Sequence, residues 1–227
     1  MFIFFRASAR SSGVSISAQK FPFVAAQEKS ISFKTSERIE KLREELNIRG
    51  DFTIALLGRL SEYKGQHLLI EAVRKLKEEG IRINAWIVGA AFEPDYKKRL
   101  KNMIAESQLA EQVHFMDFYP NPIELMSCFD TVVLTTKNET FGLVLIEAMH
   151  AGIAVIGSDA GGVPEIIDHE KTGLLFESWN SQALASAIKE LYQNSQLRGE
   201  MAKAGQVKAG QKFDLESQYQ KFLGTLR

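Results

Sequence analysis

Four charged side chains in two short stretches have the types and spacing to handle an anion carrying several charges. The first stretch is Gly58-Arg59-Leu60-Ser61-Glu62-Tyr63-Lys64-Gly65. Its arginine offers a planar fork that matches two phosphate oxygens, and its lysine offers a point charge. The second stretch runs from Asn138 to Gly152 and carries Glu139 and Glu147. Glu139 stands just before a helical pattern, where backbone N–H groups lack intrahelical partners and the helix dipole is positive. Glu147 is the one acidic residue within that apolar pattern, and a buried carboxylate is costly unless a donor meets it. The chemistry these types allow is a grip on a phosphate-like anion by two cations and a helix start, with a carboxylate at each side of that start. Taken by itself, the first pattern reads better as two solvated surface cations; the rival reading of Glu139 is a carboxylate that only caps the helix, and that role is compatible with a functional one.

These residues need elements to place them. Phe52–Leu57 is an apolar run ending at Gly58-Arg59, and further strand patterns cover Ile83–Val88, Val113–Met116, Asp130–Leu134, Ile153–Ile156 and Leu174–Phe176. Between them lie helical spacings. Leu68, Leu69, Ala72, Val73 and Leu76 recur on one face after Gly65, and Pro94–Ser107 opens with a proline in its first turn. Pro122–Phe129, Ser181–Tyr192, Leu197–Gln211 and Leu215–Leu226 also read as helices. The stretch after Glu139 predicts a short helix with Gly142 near its start and Gly152 as its stop, apolar almost all round and so buried on most sides. Strands alternating with helices predict a doubly wound, Rossmann-like parallel sheet of the α/β class. In such sheets ligands bind beyond the carboxyl ends of the strands. The residues expected there are Gly58-Arg59, Gly89, Asp117, Lys137–Glu139 and Asp159–Gly162.

Composition narrows the function classes. The chain of 227 residues has 28 basic and 28 acidic side chains, which argues against a broad nucleic-acid footprint. Its single cysteine, Cys128, excludes an intrachain disulfide and reads as a small buried hydrophobe in a reducing, cytoplasmic setting. No apolar run reaches the length of a membrane span. The four histidines are far apart, without metal-ligand spacing, and no Asp-x-Asp pair is present to hold a divalent ion on a diphosphate. The Gly58–Gly65 segment is not a Walker loop, since its spacing differs and a glycine follows the lysine. Nucleophile-elbow and dinucleotide fingerprints are missing, which disfavours hydrolase and dehydrogenase readings.

The segment Glu139-Thr-Phe-Gly-Leu-Val-Leu-Ile-Glu147, followed by Ala148-Met149 and set between two strands, resembles the motif of family 4-type retaining glycosyltransferases of the GT-B fold. The Gly-Arg…Lys-Gly element, the Asp159–Glu165 glycine loop, Ala151–Ile156 and Lys171-Thr-Gly-Leu-Leu resemble the same family, over roughly Phe52 to Leu226. Ile153 stands where the family usually has proline, and His150 where it usually has a small residue. The resemblance implies the C-terminal, donor-binding half of a GT-B fold. It implies that Arg59 and Lys64 hold the nucleotide diphosphate with Gly58 beside them, that Glu139 lies by the donor sugar, and that Glu147 accepts from the ribose hydroxyls. The backbone N–H groups of Gly142 and Leu143 would face the phosphates. Phe141 belongs to the same donor-binding motif, although its side chain is expected to pack as core. The resemblance implies no cofactor. The donor site is expected to be metal-independent, with Arg59, Lys64 and the helix dipole in place of Mg²⁺.

Residues 1–50 read as a linker or the remnant of an N-terminal domain, with an amphipathic helix over Glu37–Leu46, and residues 51–227 as the nucleotide-sugar-binding domain. The expected partner molecule is a UDP-, GDP- or ADP-sugar, its base lying on the Val88-Gly89 to Phe118 side. An acceptor domain or partner chain would complete a hexosyl transfer to a hydroxyl. The rival expectation is a non-catalytic module that binds nucleotide sugar or a partner chain. An epimerase-like or phosphorylase-like relative on the same fold has no support in the residues.

Overall fold

The structure is a computed structural model and describes residues 36–50, 52–91 and 93–213. The helix expected over Leu215–Leu226 and the first 35 residues of the expected linker or remnant lie outside the described residues. Within them the chain runs α1 (Ser36–Glu45), β1 (Thr53–Leu57), a 3-10 turn (Glu62–Lys64), α2 (Gln66–Glu78), β2 (Asn84–Val88), α3 (Pro94–Glu106), β3 (Val113–Met116) and α4 (Pro122–Met126). It continues with β4 (Thr131–Leu134), α5 (Leu143–His150), β5 (Ala154–Asp159), α6 (Val163–Ile166), β6 (Leu174–Glu177), α7 (Ser181–Gln193) and α8 (Ser195–Lys212). The expected strands and helices are in place to within a few residues at their ends. The 3-10 turn and the four-residue α6 had no periodic pattern to announce them, being shorter than the periods that mark a helix.

Among the described residues the strands form one parallel sheet in the order β3-β2-β1-β4-β5-β6. Both faces are covered, which explains why the strands are apolar throughout rather than alternating. In β1, Ile54 and Leu56 join a core with Leu68, Leu69, Val73 and Leu76 of α2, Leu100 of α3 and Leu184, Ile188 and Leu191 of α7. In β4, Val132 and Leu134 face the other way, against Leu145, Ala148 and Met149 of α5 and Ala209 of α8. A third cluster sets Leu42 and Ile48, at and just after α1, against Trp86, Leu125, Cys128 and Phe129. The Arg43 guanidinium ties α1 down by donating to the Cys128 carbonyl at 2.6 Å.

The strand order reverses between β1 and β4, and helices α2 and α5 leave these neighbouring strands toward opposite faces. This divergence opens a crevice at the carboxyl edge of the sheet, the place where open α/β sheets bind ligands.

Candidate functional site

The two stretches with chemical potential form the two lips of that crevice. On one lip, the chain leaves β1 through Gly58, whose amide donates to the Val88 carbonyl at 2.9 Å, and Leu60, bonded to the Ala90 carbonyl at 3.0 Å. Arg59 between them is exposed, and its carbonyl accepts from Gln66 Nε2 at the start of α2 at 2.9 Å. The turn over Glu62–Lys64 closes on Gly65 at φ 70°, where a Cβ would lie 2.5 Å from the Thr135 carbonyl. Only glycine allows the loop after β1 to lie this close to the end of β4.

The lips are bonded directly. Thr135 Oγ1 donates to the Lys64 carbonyl at 2.7 Å, the Lys137 amide to the Tyr63 carbonyl at 3.1 Å, and Tyr63 Oη to the Asn138 carbonyl at 2.7 Å. Across this seam Lys64 Nζ meets Glu139 Oε2 at 2.8 Å, with the two side chains only 27% and 18% exposed. The other carboxylate oxygen, Oε1, accepts from the Thr140 amide at 3.1 Å. Gly142, at φ 56°, is the N-cap of α5, and a Cβ there would lie 3.7 Å from Glu139 Cγ. Glu139 therefore lies over the start of α5 with Lys64 against its tip.

Glu147 sits in the second turn of α5, half-buried, and burial pushes its carboxyl above the usual glutamate range. Among the described residues no protein group donates to it or pairs with it. The carboxylate is therefore available to a hydroxyl donor. Two expectations are corrected here. Phe141 does not pack as core: it is 60% exposed, because it precedes the left-handed Gly142 and never enters the helix. Helix α5 is buried on one side through Leu145, Ala148 and Met149, while Leu143 is 49% exposed at the crevice.

A third loop backs the site. Gly161 and Gly162, after β5, press on the backbone of Asn138–Thr140. Ser158 Oγ donates to the Thr136 carbonyl at 2.8 Å, holding β5 and β4 together just below. Lys137 lies over the Trp179 ring at 5.1 Å, and that ring meets His67 edge-on at 5.1 Å. His67 is buried, its Nδ1 2.9 Å from Tyr96 Oη; burial lowers its pKa and pushes that of Tyr96 up to about 12. Among the described residues no three His, Cys, Asp or Glu side chains converge on one point.

The structure thus brings together Lys64, Glu139 and Gly142, with Leu143 beside them. It places Gly58 and Arg59 on the same sheet edge and Glu147 one turn further along α5. The sequence does not show the bonds by which Tyr63, Thr135, Asn138 and Gln66 hold this arrangement. The contacts of Tyr63, Thr135 and Asn138 span some 70 positions of chain, and no local pattern signals them; Gln66 reaches back seven positions to the Arg59 carbonyl.

A family model, glycosyl transferases group 1, matches residues 38–208. The chain belongs to this family. As a group 1 glycosyltransferase chain it has relatives along most of its length. It is 25% identical to N-acetyl-alpha-D-glucosaminyl L-malate synthase of Bacillus anthracis over 81% of this chain and 50% of that protein. It is 31% identical to D-inositol 3-phosphate glycosyltransferase of Corynebacterium glutamicum over 70% of this chain and 40% of that one. The chain spans about half the length of the curated relatives it matches. Among solved structures, Anabaena HepE in complex with UDP superposes with a TM-score of 0.80 at 34% identity, over 85% of this chain and 53% of HepE. The C-terminal domain of the group 1 protein LpcC from Francisella tularensis superposes with a TM-score of 0.72 at 31% identity, over 79% of this chain and 95% of that domain. The fold is therefore the Rossmann-like half of a GT-B glycosyltransferase. No helix among the described residues is long and apolar enough to cross a membrane.

Proposed function

We propose that this chain is the donor-binding half of a retaining glycosyltransferase that moves a hexosyl group from a nucleotide-diphosphate sugar to a hydroxyl acceptor. The observation that carries the reading is the meeting of Lys64 and Glu139 at 2.8 Å over the start of α5, at the point where the strand order reverses. In this reading Arg59, Lys64 and the N–H groups of Gly142 and Leu143 hold the diphosphate. They stabilise the charge that grows on it as the glycosidic bond breaks, without a metal ion. Glu147 accepts from the ribose hydroxyls, which gives its carboxylate the donors that no described protein group supplies. Glu139 lies by the donor sugar. No side chain is assigned as a covalent nucleophile, so the acceptor attacks from the face the diphosphate leaves. Residues 51–227 form the donor domain, and the acceptor site belongs to an N-terminal domain or a partner chain, in the cytoplasm. HepE has been solved with UDP and with UDP-glucose, and the 34% identity supports a uridine donor here.

Calorimetric titration of the chain with UDP-glucose, GDP-glucose and ADP-glucose tests the reading. Binding of one of them, weakened at least tenfold by Lys64→Ala, is expected; no binding of any nucleotide sugar overturns it. Transfer measured on the chain alone then separates an active half from a binding module.

A further inference from the structure

Lys64 already has an anionic partner within the chain. One oxygen of Glu139 takes the ammonium at 2.8 Å and the other takes the Thr140 amide, while the stem of the side chain lies against the N-cap of α5. A single internal carboxylate thus occupies the lysine that a phosphate would use, beside the start of α5. Both partners are held in place. Lys64 is fixed through Thr135 and the neighbouring Tyr63, and the Glu139 carbonyl accepts from the Gly162 amide at 2.7 Å. An incoming diphosphate must share or displace this contact, and it meets the charge of Glu139 when it does.

That cost depends on what the diphosphate carries. A terminal phosphate has its second pKa near 6, so at pH 7.5 a nucleoside diphosphate bears about one more negative charge than a nucleotide sugar, whose terminal phosphate is esterified. The spent nucleotide, with more charge to place on Lys64, therefore loses more than the intact donor while Glu139 holds that ammonium. We propose that Glu139 is an internal competitor for Lys64 that lowers affinity for the nucleoside diphosphate relative to the nucleotide sugar, and so favours release of the leaving product. This rests on the donor-site reading above and assigns Glu139 a specificity role within it.

The test is titration with UDP and UDP-glucose at pH 7.5 and low salt, for the wild-type chain, Glu139→Gln, Glu139→Ala, Lys64→Met and the double variant Glu139→Gln/Lys64→Met. Removing the carboxylate should tighten UDP binding by about tenfold, the effect expected of a partly screened charge at this distance. UDP-glucose should tighten less or weaken. With Lys64 absent the gain for UDP should fall below about twofold, since the competition acts through that residue. If the wild-type chain binds UDP and both Glu139 variants bind it no more tightly, the competitor role is wrong while the donor site stands. A gain that persists in the Lys64→Met background also overturns it. If the wild-type chain binds neither ligand, the donor-site reading itself fails.

Discussion

The Gly162 amide donates to the Glu139 carbonyl oxygen at 2.7 Å, which bonds the loop after β5 to the loop after β4 beside the start of α5. The neighbouring Gly161 is at φ +60°, and a Cβ on it would lie 2.2 Å from both Asn138 Oδ1 and the Glu139 carbonyl. The paired glycines set how close the two loops lie, and so where the Glu139 carboxylate stands relative to Lys64.

Gly161→Ala should therefore cost about 2–4 kcal/mol, adding left-handed strain to overpacking against backbone. Gly80 provides the comparison. It has φ +77° with nothing within 4 Å of its Cβ position, so Gly80→Ala should cost only about 1 kcal/mol. Urea unfolding of both variants measures the difference, and equal costs would mean that the loops are not pressed together.

Glu147→Gln should separate stability from binding. The raised pKa means that the folded chain holds the Glu147 proton to higher pH than the unfolded chain does. The stability linked to that proton is complete below the unfolded value of about 4.3 and is lost as pH rises through the folded value. At pH 7.5 the glutamine variant should melt higher than the wild type in the absence of nucleotide, and the gain should vanish below about pH 4. Its affinity for a nucleotide sugar should fall about tenfold, as for a lost hydrogen bond to a charged group. A variant no more stable at neutral pH would show that the carboxylate is solvated.

A buried lysine predicts an asymmetry. Lys208 of α8 is 7% exposed, with its ammonium 2.9 Å from Asp168 and 3.4 Å from the Glu165 carbonyl, just past α6 and within it. Its ammonium holds the Asp168 carboxyl below the usual range, and Asp168 itself is half exposed. Lys208→Met leaves a carboxylate that water can solvate and should cost about 1 kcal/mol or less. Asp168→Asn leaves a buried ammonium without its counter-charge and should cost about 1–3 kcal/mol. Thermal melting at pH 7 ranks the two, and the reverse order would place the charge penalty on the aspartate.

Arg59→Ala should cut kcat/KM about 10²-fold in an assembly that includes an acceptor domain, as expected for the loss of one group stabilising the leaving diphosphate. Steady-state transfer assays decide this. Turnover at the wild-type level would remove Arg59 from the mechanism and leave the diphosphate to Lys64 and α5.

The parts of the site that were legible are those written in local pattern. Arg59 follows an apolar strand run, Lys64 precedes a helix with Leu68, Leu69, Ala72, Val73 and Leu76 on one face, and Glu139 precedes α5. An aromatic residue beside an apolar run reads as core, yet Phe141 is exposed. Its exposure is decided by the left-handed turn at Gly142, which sets where the helix begins. The seam bonds of Tyr63, Asn138 and Thr135 are not legible in the sequence because each runs to a partner in a distant loop.

The order of strands and helices, and the edge of the sheet on which the charged residues fall, follow from the sequence by itself, because short continuous apolar runs and the 3.6 period are local properties of the chain. The strand order β3-β2-β1-β4-β5-β6, with β4 returning to lie beside β1, was decided only in the tertiary structure, since it depends on how helices cover both faces of the sheet. That return puts Lys64 against Glu139, 75 positions away, and turns two unrelated charges into one site.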